Sequence, residues 1–167
     1  MRMHYTSWDR SQTQRPLLLA DAGPEKLAAF SDDAARVGSD TWTLDTGNAV
    51  AVAGSGEEYR LDGDRKKDDR LTAKLGGRSV EFVNEKRSDW VVLDAEGEKI
   101  GQFSGANSGV RSAIVEFDGP VELSGPEIVA VSWFARLILE ARLDKKATGI
   151  IATLAAASVV AIIAFLL

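Results

Sequence analysis

The sequence predicts a mainly β domain built around a buried C-terminal helix and followed by a single transmembrane helix. Three observations point there. Thr41 to Leu123 reads as short alternating runs broken roughly every six to ten residues by Gly, Asp or Asn, the pattern of a meandering antiparallel sheet. Glu127 to Leu143 is apolar around most of its helical circumference, so it needs a host on nearly every side. Ala147 to Leu167 carries no charged residue at all.

In chain order, Met1 to Gln14 is rich in Ser, Thr, Arg and Gln and is expected to be a loosely held arm. Arg15-Pro16 then opens Leu17 to Ala20, a candidate edge strand, because proline tolerates a strand's first position. Asp21 or Gly23 is read as the cap of a short amphipathic helix with Pro24 at its first position. Leu27, Phe30, Ala34 and Val37 would share its buried face until Gly38 stops it. Residues 1–38 are thus an arm with one short helix.

Residues 39–126 form the antiparallel β region. Trp42 and Leu44 alternate with Thr, Asp45-Thr46-Gly47-Asn48 turns, and Val50 and Val52 alternate with Ala. Leu71, Ala73 and Leu75 alternate with Arg70, Thr72 and Lys74, and Gly76-Gly77 supplies a two-residue hairpin turn before Val80 and Phe82 return. Trp90 to Leu93 leads through Asp94-Ala95-Glu96-Gly97 to Lys99 to Ser104, and Ala113, Val115 and Phe117 reach a turn at Asp118-Gly119-Pro120. This count gives about eight or nine strands, all ahead of the hydrophobic helix.

Within the central helix, residues 127–144, Ser132, Arg136, Glu140 and Asp144 recur every fourth residue as one narrow polar stripe. Enclosure by lipid, as one arm of a two-helix hairpin, would place Arg136 mid-segment at a cost of about 2.5 to 3.5 kcal/mol. A cage of strands is the cheaper host. The segment after it differs: as a helix, the 21 residues from Ala147 to Leu167 would span roughly 31 Å against a hydrocarbon core of about 30 Å. Arg136, Arg142, Lys145 and Lys146 precede it and no charge follows it, so the folded domain is expected in the cytoplasm, tail-anchored to the cell membrane by one pass.

Ser39 to Gly47 and Ser88 to Gly97 share an entering Trp and a turning Asp with Gly, a faint internal repeat that chance turn chemistry explains as well as duplication. Hairpins of this type, ending in a hydrophobic helix that strands must surround, make Thr41 to Leu143 resemble the tubby C-terminal and LURP-one-like group, which includes the phospholipid scramblases. The resemblance implies an antiparallel barrel, or a curled sheet, wrapped around the C-terminal helix. It also implies an anionic phospholipid as a candidate ligand.

Composition narrows the chemistry. A net charge of −5 disfavours general nucleic-acid binding. Without cysteine there is no thiol catalysis, disulfide or cysteine-based zinc site. His4, the sole histidine, lies in the expected arm, which leaves a Ser/His/Asp system without a base. Asp62, Asp64, Asp68 and Asp69 lack EF-hand spacing and read as a charged hairpin tip. Gly101 to Gly109 is glycine-rich but lacks the Lys-Ser/Thr of a phosphate loop and reads as a flexible connection. No enzyme, cofactor or metal is expected.

Two candidate contact surfaces remain. Arg65, Lys66, Lys67, Arg70 and Lys74 cluster on one hairpin as an anionic-lipid site, although interleaved acids offset their field. Gly149, Thr153, Ala157 and Ala161 repeat every fourth residue in the span, where small side chains let another membrane helix approach. The leading expectation is a non-catalytic accessory or assembly subunit of a larger membrane complex. The alternative is a domain that binds anionic phospholipid at the cytoplasmic face.

Overall fold

The computed structural model describes residues 3–9, 11, 15–105, 114–120 and 122–143. The first four strands are β1 (Tyr5–Asp9), β2 (Leu17–Ala20), β3 (Lys26–Phe30) and β4 (Ala34–Val37). Next come β5 (Asp40–Asp45), β6 (Val50–Val52), β7 (Glu58–Asp62) and β8 (Arg70–Leu75). The last four are β9 (Arg78–Lys86), β10 (Asp89–Leu93), β11 (Lys99–Ser104) and β12 (Val115–Phe117). Each strand pairs antiparallel with its sequence neighbours and β1 closes on β12, so twelve strands make one closed barrel. The helix α1, residues 125–143, follows them.

The barrel wraps α1. Val129, Ala130, Val131, Ser132, Phe134, Ala135 and Ile138 are sealed from solvent, and they share one core with inward side chains of almost every strand. Small and large residues alternate on the inner wall, with Ala28, Ala35, Ala51 and Ala73 among Trp42, Tyr59, Phe82 and Trp90. The alanines leave room for the helix, and the aromatics fill the space to either side of it. Enclosure of α1 by strands, rather than by lipid, is therefore what the fold adopts.

Among the described residues, the first third of the chain is strand and turn, in place of the expected arm and short helix. Lys26–Phe30 and Ala34–Val37 form β3 and β4, not an amphipathic helix. Leu27, Phe30, Ala34 and Val37 fit helical spacing, but Ala28 and Phe30 point inward with alternating neighbours outward, which is a strand's period of two. Ser31, Asp32 and Asp33 are the turn between them: the Ser31 amide and hydroxyl both donate to the Ala34 carbonyl, at 2.8 and 3.1 Å. Nor is the N-terminus a loose arm, because Tyr5 to Asp9 is β1 and closes the barrel. Leu17 to Ala20 is an interior strand between β1 and β3, not an edge.

The remaining differences are smaller. Gly101 lies inside β11 rather than in a loop, and a Cβ there would meet the Glu116 carbonyl oxygen at 2.7 Å, so glycine permits the close approach of β12. The two segments of the faint repeat become β5 and β10, which run in opposite directions along the barrel. What they share is turn chemistry. The Asp45 carboxylate accepts the Asn48 amide at 3.0 Å, and that of Asp94 accepts the amides of Glu96 and Glu98 at 3.0 and 2.8 Å.

Helix α1 starts two residues ahead of the expected Glu127. Ser124 and Glu127 make reciprocal contacts: the Ser124 amide donates to Glu127 Oε2 at 2.6 Å, and the Glu127 amide donates to Ser124 Oγ at 3.4 Å. This capping box satisfies amides that would otherwise be stranded at the barrel mouth. Among the described residues no helix is long and apolar enough to cross a membrane; the segment Ala147 to Leu167, with Gly149, Thr153, Ala157 and Ala161, lies outside them.

Candidate functional site at the rim where the helix leaves the barrel

Successive strands alternate in direction, so the connections sort into two rims. One rim holds the β2–β3, β4–β5, β6–β7, β8–β9 and β10–β11 turns, and α1 starts there, with Arg78 Nε 3.0 Å from Glu127 Oε1. The other holds the β1–β2, β3–β4, β5–β6, β7–β8 and β9–β10 connections, and there α1 leaves. Arg142, in the last turn of α1, donates to the Asp68 carbonyl and sits 3.7 Å from Asp69 Oδ1, with its guanidinium 5.2 Å above the Trp90 ring.

The β7–β8 loop at this exit rim is folded on its own carboxylates. The Asp64 amide donates to Asp68 Oδ2 at 2.7 Å, the Lys66 amide donates to Asp64 Oδ1 at 2.9 Å, and the Asp68 amide returns to the Asp64 carbonyl at 2.8 Å. The Lys66 amide, helped by the charge of Lys67, holds the Asp64 carboxyl below the usual carboxylate range. The acids of this loop therefore shape its backbone. Among the described residues no group of three or more His, Asp or Glu is arranged to hold a metal ion.

The five basic residues expected to form one anionic-lipid site are only partly brought together. Arg70 and Lys74 lie on the outer wall of β8, where Arg70 pairs with Glu81 and Lys74 Nζ is 2.9 Å from Asp62. Arg65 donates to the Gly47 carbonyl at 2.6 Å, bracing the β5–β6 turn, and Lys67 is 3.6 Å from Asp64. Lys66 alone of the five makes no side-chain hydrogen bond or ion pair among the described residues. It borders a cleft of about 390 Å³ with Asn48, Asp62, Asp64, Arg65 and Ala141 of α1.

Lys86 and Arg87, two of the bases that the sequence crowds between Arg60 and Arg87 but outside the five expected to form the site, complete this rim. The Asn84 amide donates to the Asp69 carbonyl at 2.8 Å, which sets the β9–β10 turn, with Lys86 and Arg87, beside the β7–β8 loop. Asn84 Nδ2 in turn donates to the Arg87 and Asp89 carbonyls at 3.2 and 3.1 Å, closing that turn, and Lys86 and Arg87 are both exposed. Leu143, the last described residue of α1, is 47% exposed, more than any other large hydrophobic side chain among the described residues. The signal in the sequence was the Lys86-Arg87 pair, but only strand pairing tells which rim it joins.

On the other side of the exit rim, the polar stripe of α1 meets β1. Ser132 Oγ lies 2.8 Å from Thr6 Oγ1, the Arg136 guanidinium is 4.9 Å above the Trp8 ring, and Arg136 Nε donates to Glu140 Oε1 at 2.8 Å. A second cleft, about 320 Å³, is lined there by Phe30, Asp32, Trp133, Arg136 and Glu140. Searches against protein-family models, curated proteins and solved structures find no match to this chain.

Proposed function

We propose that this protein is a non-catalytic accessory or assembly subunit of a membrane complex, a cytoplasmic barrel tied to the bilayer by residues 147–167. The observation that carries this reading is the use of the barrel interior. Helix α1 occupies it with sealed side chains, so the surfaces offered to other molecules are the outer wall, the rims and whatever follows residue 143. Arg142 pins the end of α1 to the β7–β8 loop, and only Asp144, Lys145 and Lys146 separate Leu143 from the uncharged stretch. So short a joint favours rigid docking over a loose tether. The small-residue repeat Gly149, Thr153, Ala157 and Ala161 is the surface we assign to a partner helix.

Affinity purification of the full chain from detergent-solubilised membranes tests this. Gly149→Leu with Ala157→Leu should remove the co-purifying membrane protein while leaving the chain membrane-bound. Recovery of the chain alone, or an unchanged partner in the double variant, would overturn the reading.

A second reading, anionic phospholipid recognition in the manner of the tubby and scramblase group, draws support from the barrel-around-helix architecture and from Lys66, which makes no side-chain hydrogen bond or ion pair among the described residues. Binding that requires Arg70 and Lys74 would favour it, although both already face carboxylates.

A further inference from the structure

We infer that a groove at the rim where α1 starts is a docking site for a basic segment of a partner protein that also carries branched aliphatic residues. Glu96 and Glu122 meet its cations, and Ile100 and Pro120 meet its aliphatic side chains. This goes beyond the membrane reading above and does not depend on how residues 147–167 are housed.

The groove has a volume of about 560 Å³ and lies between the β8–β9 turn, the β10–β11 turn and the connection from β12 to α1. Sites that take a ligand commonly measure about 300 to 1,000 Å³. Val80 and Leu123 are buried at its base, while Ile100, half-buried against the core, and exposed Pro120 present carbon to the opening. Its walls are fixed before anything binds. The Asp94 carboxylate accepts the amides of Glu96 and Glu98, Arg78 is held by Glu127 and donates to the Glu122 carbonyl at 3.3 Å, and the Asp118 amide donates to the Ile100 carbonyl at 3.0 Å. A preformed groove loses little conformational freedom when it is filled.

Charge selects the occupant. Four carboxylates line the groove, Asp94, Glu96, Asp118 and Glu122, against one base, Arg78, whose guanidinium already faces Glu127. Asp118 is matched by Lys99 at 3.2 Å and Asp94 is engaged by its own turn. Glu96 and Glu122 are left exposed and without an ion pair among the described residues, as is Glu98 on the same turn as Glu96. The same sign extends across the rim: burial pushes the Tyr59 phenol up first, and its hydrogen bond to Glu57 and the charges of Glu57, Glu127 and Asp40 push it further. An acidic partner is repelled here, and a purely apolar one would strip water from carboxylates without replacing it. Lysine and arginine satisfy both surfaces, because their stems lie along carbon while their charged ends reach the acids. A leucine or isoleucine between two such residues covers Ile100 and Pro120, which a linear polyamine cannot do as well.

Full-length protein in a neutral detergent is titrated into dye-labelled Lys-Leu-Lys-Leu-Lys at physiological ionic strength, with empty micelles as the blank, and anisotropy is read. Saturable binding is expected. It should be weaker by roughly tenfold for Lys-Ser-Lys-Ser-Lys, which keeps the charge and loses the apolar contact, and absent for Glu-Leu-Glu-Leu-Glu. Glu96→Lys with Glu122→Lys should weaken the leucine peptide by more than about tenfold through like-charge contact. Asp32→Lys with Glu85→Lys makes the same change of net charge on the exit rim, beyond a Debye length of about 8 Å, and should leave the affinity within about twofold. Absence of saturable binding, equal affinity for the serine peptide, equal loss in the two double variants, or displacement of the leucine peptide by an equal concentration of spermine overturns the groove as a docking site.

Discussion

Thr6 and Ser132 stand 126 positions apart, yet their hydroxyls meet 2.8 Å from each other inside the barrel, and both residues are fully buried. Ser132 Oγ also lies 2.8 Å from the Ile128 carbonyl, donating back along the helix by one turn. The contact joins the closing strand β1 to the central helix, so the first strand and the last described element of the chain depend on each other. It also accounts for Ser132 of the polar stripe, which meets β1 at Thr6 as Arg136 does at Trp8.

This pair should behave as a coupled unit. Ser132→Ala leaves the Thr6 hydroxyl buried without that partner and is expected to cost about 1 to 3 kcal/mol, whereas Thr6→Val leaves Ser132 its bond to Ile128 and should cost less. Adding Thr6→Val to Ser132→Ala should recover part of the loss. Denaturant unfolding of the four proteins gives the coupling energy, and strict additivity would show that the hydroxyls do not interact.

Filling of the barrel should dominate its stability. Phe134→Ala opens a cavity against several strands and is expected to destabilise by about 3 to 5 kcal/mol. Leu143→Ala, at the exposed end of the same helix, should change stability by less than about 0.5 kcal/mol. Thermal unfolding of both variants compares them directly.

Gly101→Ala should weaken the β11–β12 pairing. Its new Cβ would press on the Glu116 carbonyl oxygen, a backbone atom that cannot rotate away. A loss of about 1 to 3 kcal/mol is expected, together with faster hydrogen exchange at the β11–β12 and β1–β12 amides. Gly77→Ala, where nothing lies within 4 Å of the added carbon, is the control and should leave exchange in those strands unchanged.

Acid should loosen the loops of the exit rim only below the ordinary carboxylate range. The Asp64 carboxyl is lowered by the Lys66 amide, and that of Asp45 by the Asn48 side-chain and backbone amides. A lowered folded pKa means that the ionised form is the one the loops stabilise. Their contribution is therefore complete above the ordinary carboxylate range near pH 4 and is lost as pH falls through the lower folded values. Amide exchange at Lys66 and Asn48 between pH 5 and pH 2, read relative to the same amides in Asp64→Asn and Asp45→Asn, should show the protection disappearing only in the parent chain.

Removing the cap of α1 should fray its start without emptying the barrel. Ser124→Ala is expected to cost about 1 kcal/mol. Glu127→Gln keeps an acceptor for the Ser124 amide and loses only the charge facing Arg78, so it should cost less. Unfolding midpoints of the two variants test that order.

By itself the sequence determined the parts whose local pattern has one physical solution. Alternation of Leu71, Ala73 and Leu75 ahead of Gly76-Gly77 allows little besides the β8–β9 hairpin, and α1, apolar nearly all round, had to be enclosed. Tertiary structure decided what local pattern left degenerate. Leu27, Phe30, Ala34 and Val37 fit a helical spacing while Ala28 and Phe30 fit a strand's period of two, and only pairing of β3 and β4 with β2 and β5 selected the strand. Thr6 and Trp8 look like an unremarkable polar arm until Ser132 and Arg136 give them partners. Lys66 and Lys86 are 20 positions apart in sequence, and the segments that carry them are joined by the Asn84–Asp69 hydrogen bond, which extends the β8–β9 hairpin beyond its alternating core. Short-range spacing fixes which way a side chain can point; which distant group it meets depends on strand register, and register is a property of the whole barrel.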